Sequence, residues 1–425
     1  MATTRAVDDA APPPSAWGQR LIFLFTYTAY IAVYFTRKPF SVTKSTLKAE
    51  DVHTESELGL IDTAFLVSYA VGQFASGPVA SILGSKLGLA VAFIGTGVCS
   101  FVFGTSPSKD VRGLAWLLNG LFQAFFFPFI MDVLRAWFPP STRGQVLGMW
   151  TTCQQVGGFA TSAFGAYVLS TSTWQDAFVR PAFLSFGFAA LCVTVLHAAP
   201  SSTSKVHVFG ATAASSISLW DVPHLVHVGA AYFCIKLVRY TFLGWLPFYL
   251  TDVLRYSAAE SVLLSTAFDL AGTLGSVLCG FAADAAWCGG RSARVVAPMC
   301  LLCGLCTLLY PHVASLGQMP NIAIMAAVGL FVAGPDSMLG GAACAEICER
   351  AGAPSAATGA TGVVNGMGSL GAIASGMLPI LIKERFGWDV LFYSMGCLGV
   401  VGGLLLLPVA NGRPATAADM KDKTT

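Results

Sequence analysis

Charge is what this chain of 425 residues has least of, with Asp, Glu, Lys and Arg together making only 11% of it. An ordinary soluble domain carries roughly 25%. So little polar surface excludes a soluble globular enzyme, and a hydrophobic share of 55% excludes a disordered scaffold. The net charge of +2 gives no long-range field, so no nucleic-acid partner is expected. The sequence also lacks a glycine-rich phosphate loop, a nucleophile beside a base and a ligand cage, so covalent chemistry, a cofactor and a metal are not expected. Cys300, Cys303 and Cys306 have suggestive spacing, but they sit on one face of an apolar run without nearby carboxylates. They read as small residues for helix packing. The first nineteen residues lack the basic start and cleavage pattern of a signal peptide and read as a cytosolic tail, 1–19.

What fills the chain instead is apolar runs. A membrane helix needs about 20 mostly apolar residues, so twelve with short connections consume roughly 300 to 400 residues. Runs fall at 20–37, 58–79, 87–105, 112–134, 144–170 and 178–199, then at 225–250, 259–283, 294–315, 320–345, 356–382 and 388–409. They lack the short alternating segments of a membrane barrel. The fold class is an all-α polytopic membrane protein with twelve transmembrane helices in two six-helix bundles, 20–199 and 225–409. A polar linker, 200–224, joins them, and a second tail follows at 410–425. The bilayer is the expected surrounding, with both termini cytosolic because the span count is even. The Lys and Arg bias supports that orientation only modestly.

Ionisable residues at membrane depth are costly and mark functional positions. The seventh run, Leu225–Leu250, covers 26 residues, and Arg239 is its fifteenth, near the midplane. Lys236 lies one turn earlier on the same face. Two cations there need an anion or a carboxylate, and Asp269 on the eighth run is the expected supplier. The alternative is a fixed Arg239–Asp269 pair that only joins helices. On the first run Tyr27, Tyr30, Tyr34 and Arg37 draw one helical stripe that ends beside Lys38. Phenolic donors and a planar guanidinium fork suit an oxyanion. The alternative is an interfacial aromatic belt with Arg37 reaching to headgroups. Asp62 and Asp336 complete the list as charge-pairing or gating residues.

Arg37 opens the first bundle and Arg239 the second, so a pseudo-two-fold brings them face to face across a midplane cavity. If Asp269 cancels Lys236, two fixed positive charges remain. A phosphate monoester carries about −1.5 to −2 near neutral pH and neutralises them, and the fork of arginine fits its oxygens.

These same residues carry a resemblance. The run from Thr26 through Tyr30 to Arg37-Lys-Pro-Phe-Ser-Val-Thr-Lys44, the run Lys236 to Tyr249, Asp62 with Tyr69 to Phe74, Phe268-Asp269, Asn119 to Gln123 and Gly334-Pro335 resemble the sugar-phosphate exchangers of solute carrier family 37. The wider group is the organophosphate:phosphate antiporters of the major facilitator superfamily. The resemblance implies exchange of inorganic phosphate for a phosphorylated sugar, glycerol or triose by alternating access. Arg37 and Arg239 then grip the phosphate, with Tyr30, Tyr34 and Tyr69 at matching tyrosines and Lys236 as in the animal exchangers. It implies an endoplasmic reticulum or other internal membrane, with the plasma membrane as the alternative. Departures from the pattern are a missing histidine on the fifth run, where Trp150 precedes Gln154, and Gln73 in place of a bacterial lysine. Gly244 replaces an acid, and the segment Gly77–Gly84 has lost its Asp and Arg. Gln154 can donate a hydrogen bond but cannot titrate. A proton- or sodium-coupled carrier of another anion or sugar, and a transport-inactive sensor, stay open as alternatives.

Overall fold

The computed structural model describes residues 15–138, 146, 149, 150, 152–196, 222–285, 288, 291–353 and 356–411. The expected tails before residue 15 and after 411, and nearly all of the linker, lie outside the described residues. The first half holds α1 (Ala16–Arg37), α2 (Pro39–Ala49), α3 (Glu55–Thr105), α4 (Lys109–Gln123), α5 (Phe126–Trp137), α6 (Thr152–Thr171) and α7 (Asp176–Thr194). The second holds α8 (Leu225–Asp252), α9 (Ala258–Asp284), α10 (Ala293–Ala314), α11 (Gln318–Leu339), α12 (Ala342–Arg350), α13 (Ala357–Phe386) and α14 (Trp388–Asn411). Among the described residues, nine stretches are long and apolar enough to cross a membrane. Helices α1, α6 and α8 are not among them. They are the helices that carry the tyrosine stripe, Gln154 and the Lys236–Arg239 pair.

Helix ends differ from the apolar runs for local reasons. The first run does not stop at Arg37. Pro39 occupies the first turn of α2, where its missing N–H is no loss. The Lys38 N–H donates to Tyr34 O at 2.9 Å, and the Val42 N–H donates to Lys38 O at 3.2 Å. The span therefore continues, bent, to Ala49 and takes Lys44 and Lys48 with it. Two expected runs, 58–79 and 87–105, merge in α3, where Gly84 makes the corner at φ 68°, a conformation that glycine adopts freely. Pro128 cannot tolerate the helical carbonyl four residues back, and α4 gives way to α5 at Ala124–Phe125.

The two halves repeat one packing device. Thr54 with Glu57 and Ser257 with Glu260 form reciprocal caps at the starts of α3 and α9. Eleven residues after each capping residue stand Phe65 and Phe268, and their carbonyls lie where a Cβ on Gly120 or Gly329 would be. Seven residues further, Gly72 and Gly275 press against the carbonyls of Leu121 and Leu330. So α3 meets α4 as α9 meets α11, backbone to backbone, through small residues.

The halves touch at the mouth opposite the chain termini. There α3 packs its start against the end of α13, with Gly59 and Gly376 in close approach. An alternating ring of charge crosses the seam. Lys48 contacts Glu55 and, at 3.0 Å, Asp252, while Lys383 contacts Glu55 and, at 3.7 Å, Asp252. The Trp388 indole N–H donates to Asp252 at 3.0 Å and the Ser56 hydroxyl to Glu384 at 2.8 Å. At the termini end, no ion pair or side-chain hydrogen bond joins the halves among the described residues. A methyl group at Gly376 would come within 2.6 Å of the Thr63 amide nitrogen, so Gly376→Ala is expected to wedge the closed mouth open while α13 stays helical. Hydrogen exchange should then rise in 55–63 and 376–384 with circular dichroism unchanged. Unaltered exchange would rule out a tight seam there.

Candidate functional site

The bend between α1 and α2 places Arg37 and Lys38 deep between the halves. Arg37 lies over the Tyr69 ring at 4.8 Å and the Phe65 ring at 5.9 Å. No carboxylate among the described residues pairs with it. An aromatic face orients a guanidinium without neutralising it, so the fork stays available to an anion.

The tyrosine stripe divides. Tyr30 is buried, 5.0 Å from Trp150 and 6.0 Å from Tyr34 between ring centroids. Tyr34 packs on Gly157 of α6, while Tyr27 is half-buried and shares a 3.0 Å, solvent-facing hydrogen bond with Thr152. The aromatic-belt alternative thus fits Tyr27, whereas Tyr30, Tyr34 and Tyr69 line the way to Arg37. Gln154 lies one turn before Gly158 on α6, half-buried, and has no hydrogen-bond partner among the described residues.

The expected pairing of Lys236 or Arg239 with Asp269 is not the one formed. Asp269 takes Lys38 across the two halves at 2.5 Å, and the Lys38 ammonium also donates to Gly158 O at 3.2 Å. Asp336 takes both α8 cations instead, Lys236 at 3.0 Å and Arg239 at 3.2 Å. Both α9 and α11 pack on α8, but Lys38 of the first half engages the Asp269 carboxylate, and Asp336 is the acid that meets the α8 cations. Lys236 is held between the rings of Tyr232 and Tyr240, at 5.2 and 5.1 Å, one turn either side. Asp62 pairs with Lys44, whose side chain is 0% exposed and whose ammonium also donates to Gly244 O at 3.0 Å.

Net charge is unaffected by the exchange of partners. Arg37, Lys38, Lys44, Lys236 and Arg239 face Asp62, Asp269 and Asp336, which leaves an excess of two positive charges. Lys44 and Tyr240 are the residues that sequence reasoning passed over. Tyr240 stands within electrostatic reach of Arg37, Lys236 and Arg239, so it joins the two halves of the site. Its signal was there: it follows Lys236 by one helical turn.

The arrangement is two pseudo-symmetric bundles meeting around a polar, net-positive centre. The Major Facilitator Superfamily profile matches residues 26–359. The chain belongs to that superfamily. It is a multi-pass membrane transporter and not an enzyme. A "Putative glycerol-3-phosphate transporter 2" of Arabidopsis thaliana is 29% identical, over 91% of this chain and 86% of its own length. Sugar phosphate exchanger 3 of Homo sapiens is 27% identical, over 88% of this chain and 89% of its own. In shape, the chain matches a bacterial homolog of the human lysosomal transporter Spinster, in an inward-facing and unoccupied conformation. That match has a TM-score of 0.69, covers 93% of this chain and 96% of that one, and has 13% identity. At that identity the match shows the superfamily fold alone.

Proposed function

We propose that the transporter exchanges a phosphorylated sugar or a glycerol or triose phosphate for inorganic phosphate by alternating access, with Arg37 and Arg239 as the phosphate clamp. The observation that carries this reading is the excess of two positive charges around an Arg37 that has no carboxylate partner among the described residues. A phosphate dianion matches that excess, and a monocarboxylate leaves one charge unmet. The names of the relatives from Arabidopsis thaliana and Homo sapiens point to the same substrate class. Tyr30, Tyr34, Tyr69 and Gln154 are the neutral donors around the clamp. Lys38 with Asp269 is the pair that crosses the halves and parts as they rock, while Lys44 stays with Asp62 in the first half and gives up Gly244 and Trp245.

Exchange follows from the same charges. Closing an empty site strands the clamp charges in low dielectric at a cost of several kcal/mol, so the return step favours a loaded carrier. With both termini cytosolic, the closed mouth faces away from the cytosol and the site loads from the cytosolic side. The test is radiolabelled phosphate uptake into proteoliposomes loaded with phosphate or with neutral buffer. Uptake only into phosphate-loaded vesicles is expected, and glucose 6-phosphate and glycerol 3-phosphate should compete. Uptake that follows a pH gradient instead, or no uptake by folded protein, would overturn the exchange reading.

A further inference from the structure

Resting on that reading, we infer that Asp336 is the transporter's internal stand-in for substrate and the residue that makes it select a doubly charged phosphoryl group. Asp336 bridges Lys236 and Arg239 with its two oxygens, at 3.0 and 3.2 Å. Its two partners are not equivalent. Lys236 is fixed by rings on both sides, and its stem rests against Gly368 of α13. Arg239 has Asp336 as its only ion-pair partner among the described residues. An anion arriving at Arg37 therefore competes with one carboxylate for one guanidinium, while Lys236 keeps hold of the displaced carboxylate.

This competition filters by valence. Against a single-charge competitor, a monocarboxylate or a phosphate monoanion gains little by drawing Arg239 away from Asp336. A dianion gains the difference of a full charge in a partly desolvated site. When substrate leaves, Asp336 closes on Arg239 again, but one carboxylate shared by two α8 cations leaves the net positive excess of the empty site in place. The charged and titratable groups facing Asp336 are Tyr232, Lys236, Arg239 and Tyr240 of α8. Packed beside it, α9 contributes Asp269, which Lys38 occupies. α10 has no charged group at this depth among the described residues, and the charges of α12 lie beyond the end of α11.

The experiment is calorimetric binding to the purified full-length transporter, with glycerol 3-phosphate, sulfate and acetate as probes. Wild-type protein is expected to bind glycerol 3-phosphate at pH 7.5 about tenfold tighter than at pH 5, since the ligand's second ionisation lies near pH 6. Sulfate, a dianion throughout, should bind equally at both, and acetate should not bind. Asp336→Asn is expected to tighten glycerol 3-phosphate about tenfold at pH 7.5 and to flatten its pH dependence, because no carboxylate competes. Lys236→Gln should weaken it about tenfold by surrendering Asp336 wholly to Arg239. Adding Asp336→Asn to Lys236→Gln should recover most of that loss. A purely structural Asp336 predicts weaker binding in all three variants, and that result overturns the inference while leaving the clamp in place. Wild-type protein that binds neither glycerol 3-phosphate nor sulfate overturns both.

Discussion

Arg37→Lys is expected to cost roughly 10- to 100-fold in phosphate exchange, the loss of one or two charge-assisted hydrogen bonds, with the fold intact. Lysine keeps the positive charge but presents a point where the substrate meets a planar fork. The fold should survive because Arg37 makes no ion pair among the described residues: its neighbours are the rings of Tyr69 and Phe65, and a lysine stem packs on those equally well. Arg239→Lys should impair exchange less. The shorter, more mobile ammonium still reaches Asp336, so the charge pattern of α8 persists while the planar fork offered to phosphate is lost. Exchange rates in proteoliposomes, measured beside thermal melting, separate the two effects. Near-normal exchange in both variants would remove the phosphate clamp. A drop in melting temperature matching the drop in rate would make Arg37 a structural residue.

How far the sequence carries this picture depends on what kind of information each feature needs. Apolar runs are local, so several spans were legible to within a few residues, as with 225–250 against Leu225–Asp252, whereas the first run continues to Ala49 and the run 320–345 crosses a break after Leu339. Arg37 and Arg239 were legible too, because a charge inside an apolar run announces itself without a partner. Pairings were not. Spacing tells which side chains share a face of one helix, and it gave Lys236 with Arg239 correctly. Which carboxylate meets them depends on partners from the other half: α9 and α11 both pack on α8, but Lys38 takes Asp269, and Asp336 meets the pair where Asp269 was expected. Lys44 escaped for a different reason. Proline after Arg37-Lys38 reads as a stop, yet in the first turn of a new helix it is tolerated, and the span runs on. The repeat shared by Phe65–Gly120 and Phe268–Gly329 was written in the sequence but sparse, with glycines separated by dozens of residues and meaningful only as helix contacts.

The overlooked Lys44 yields the second large effect. Its ammonium is held by Asp62, by the Gly244 carbonyl at 3.0 Å and over the Trp245 ring at 3.6 Å. The lysine side chain is 0% exposed and the aspartate 19%. Removing the carboxylate leaves a buried charge with a dipole and a ring for company, a loss of about 3–5 kcal/mol in such settings. Asp62→Asn is therefore expected to lower the melting temperature of the purified protein strongly. Lys44→Met should be milder, because Asp62 keeps some contact with water and can be hydrated or protonated. The double variant Lys44→Met/Asp62→Asn should recover most of the stability, since a buried pair exchanged for matched neutral groups is often neutral. The cost has a direction as well as a size. Gly244 and Trp245 belong to the second half, so the stranded ammonium is buried only while the mouth is closed. Opening lets water reach it, and Asp62→Asn should also raise hydrogen exchange along 39–49 and 243–252 below the melting transition. A melt like that of the wild type, or a double variant as unstable as Asp62→Asn alone, would show that Lys44 does not depend on its carboxylate.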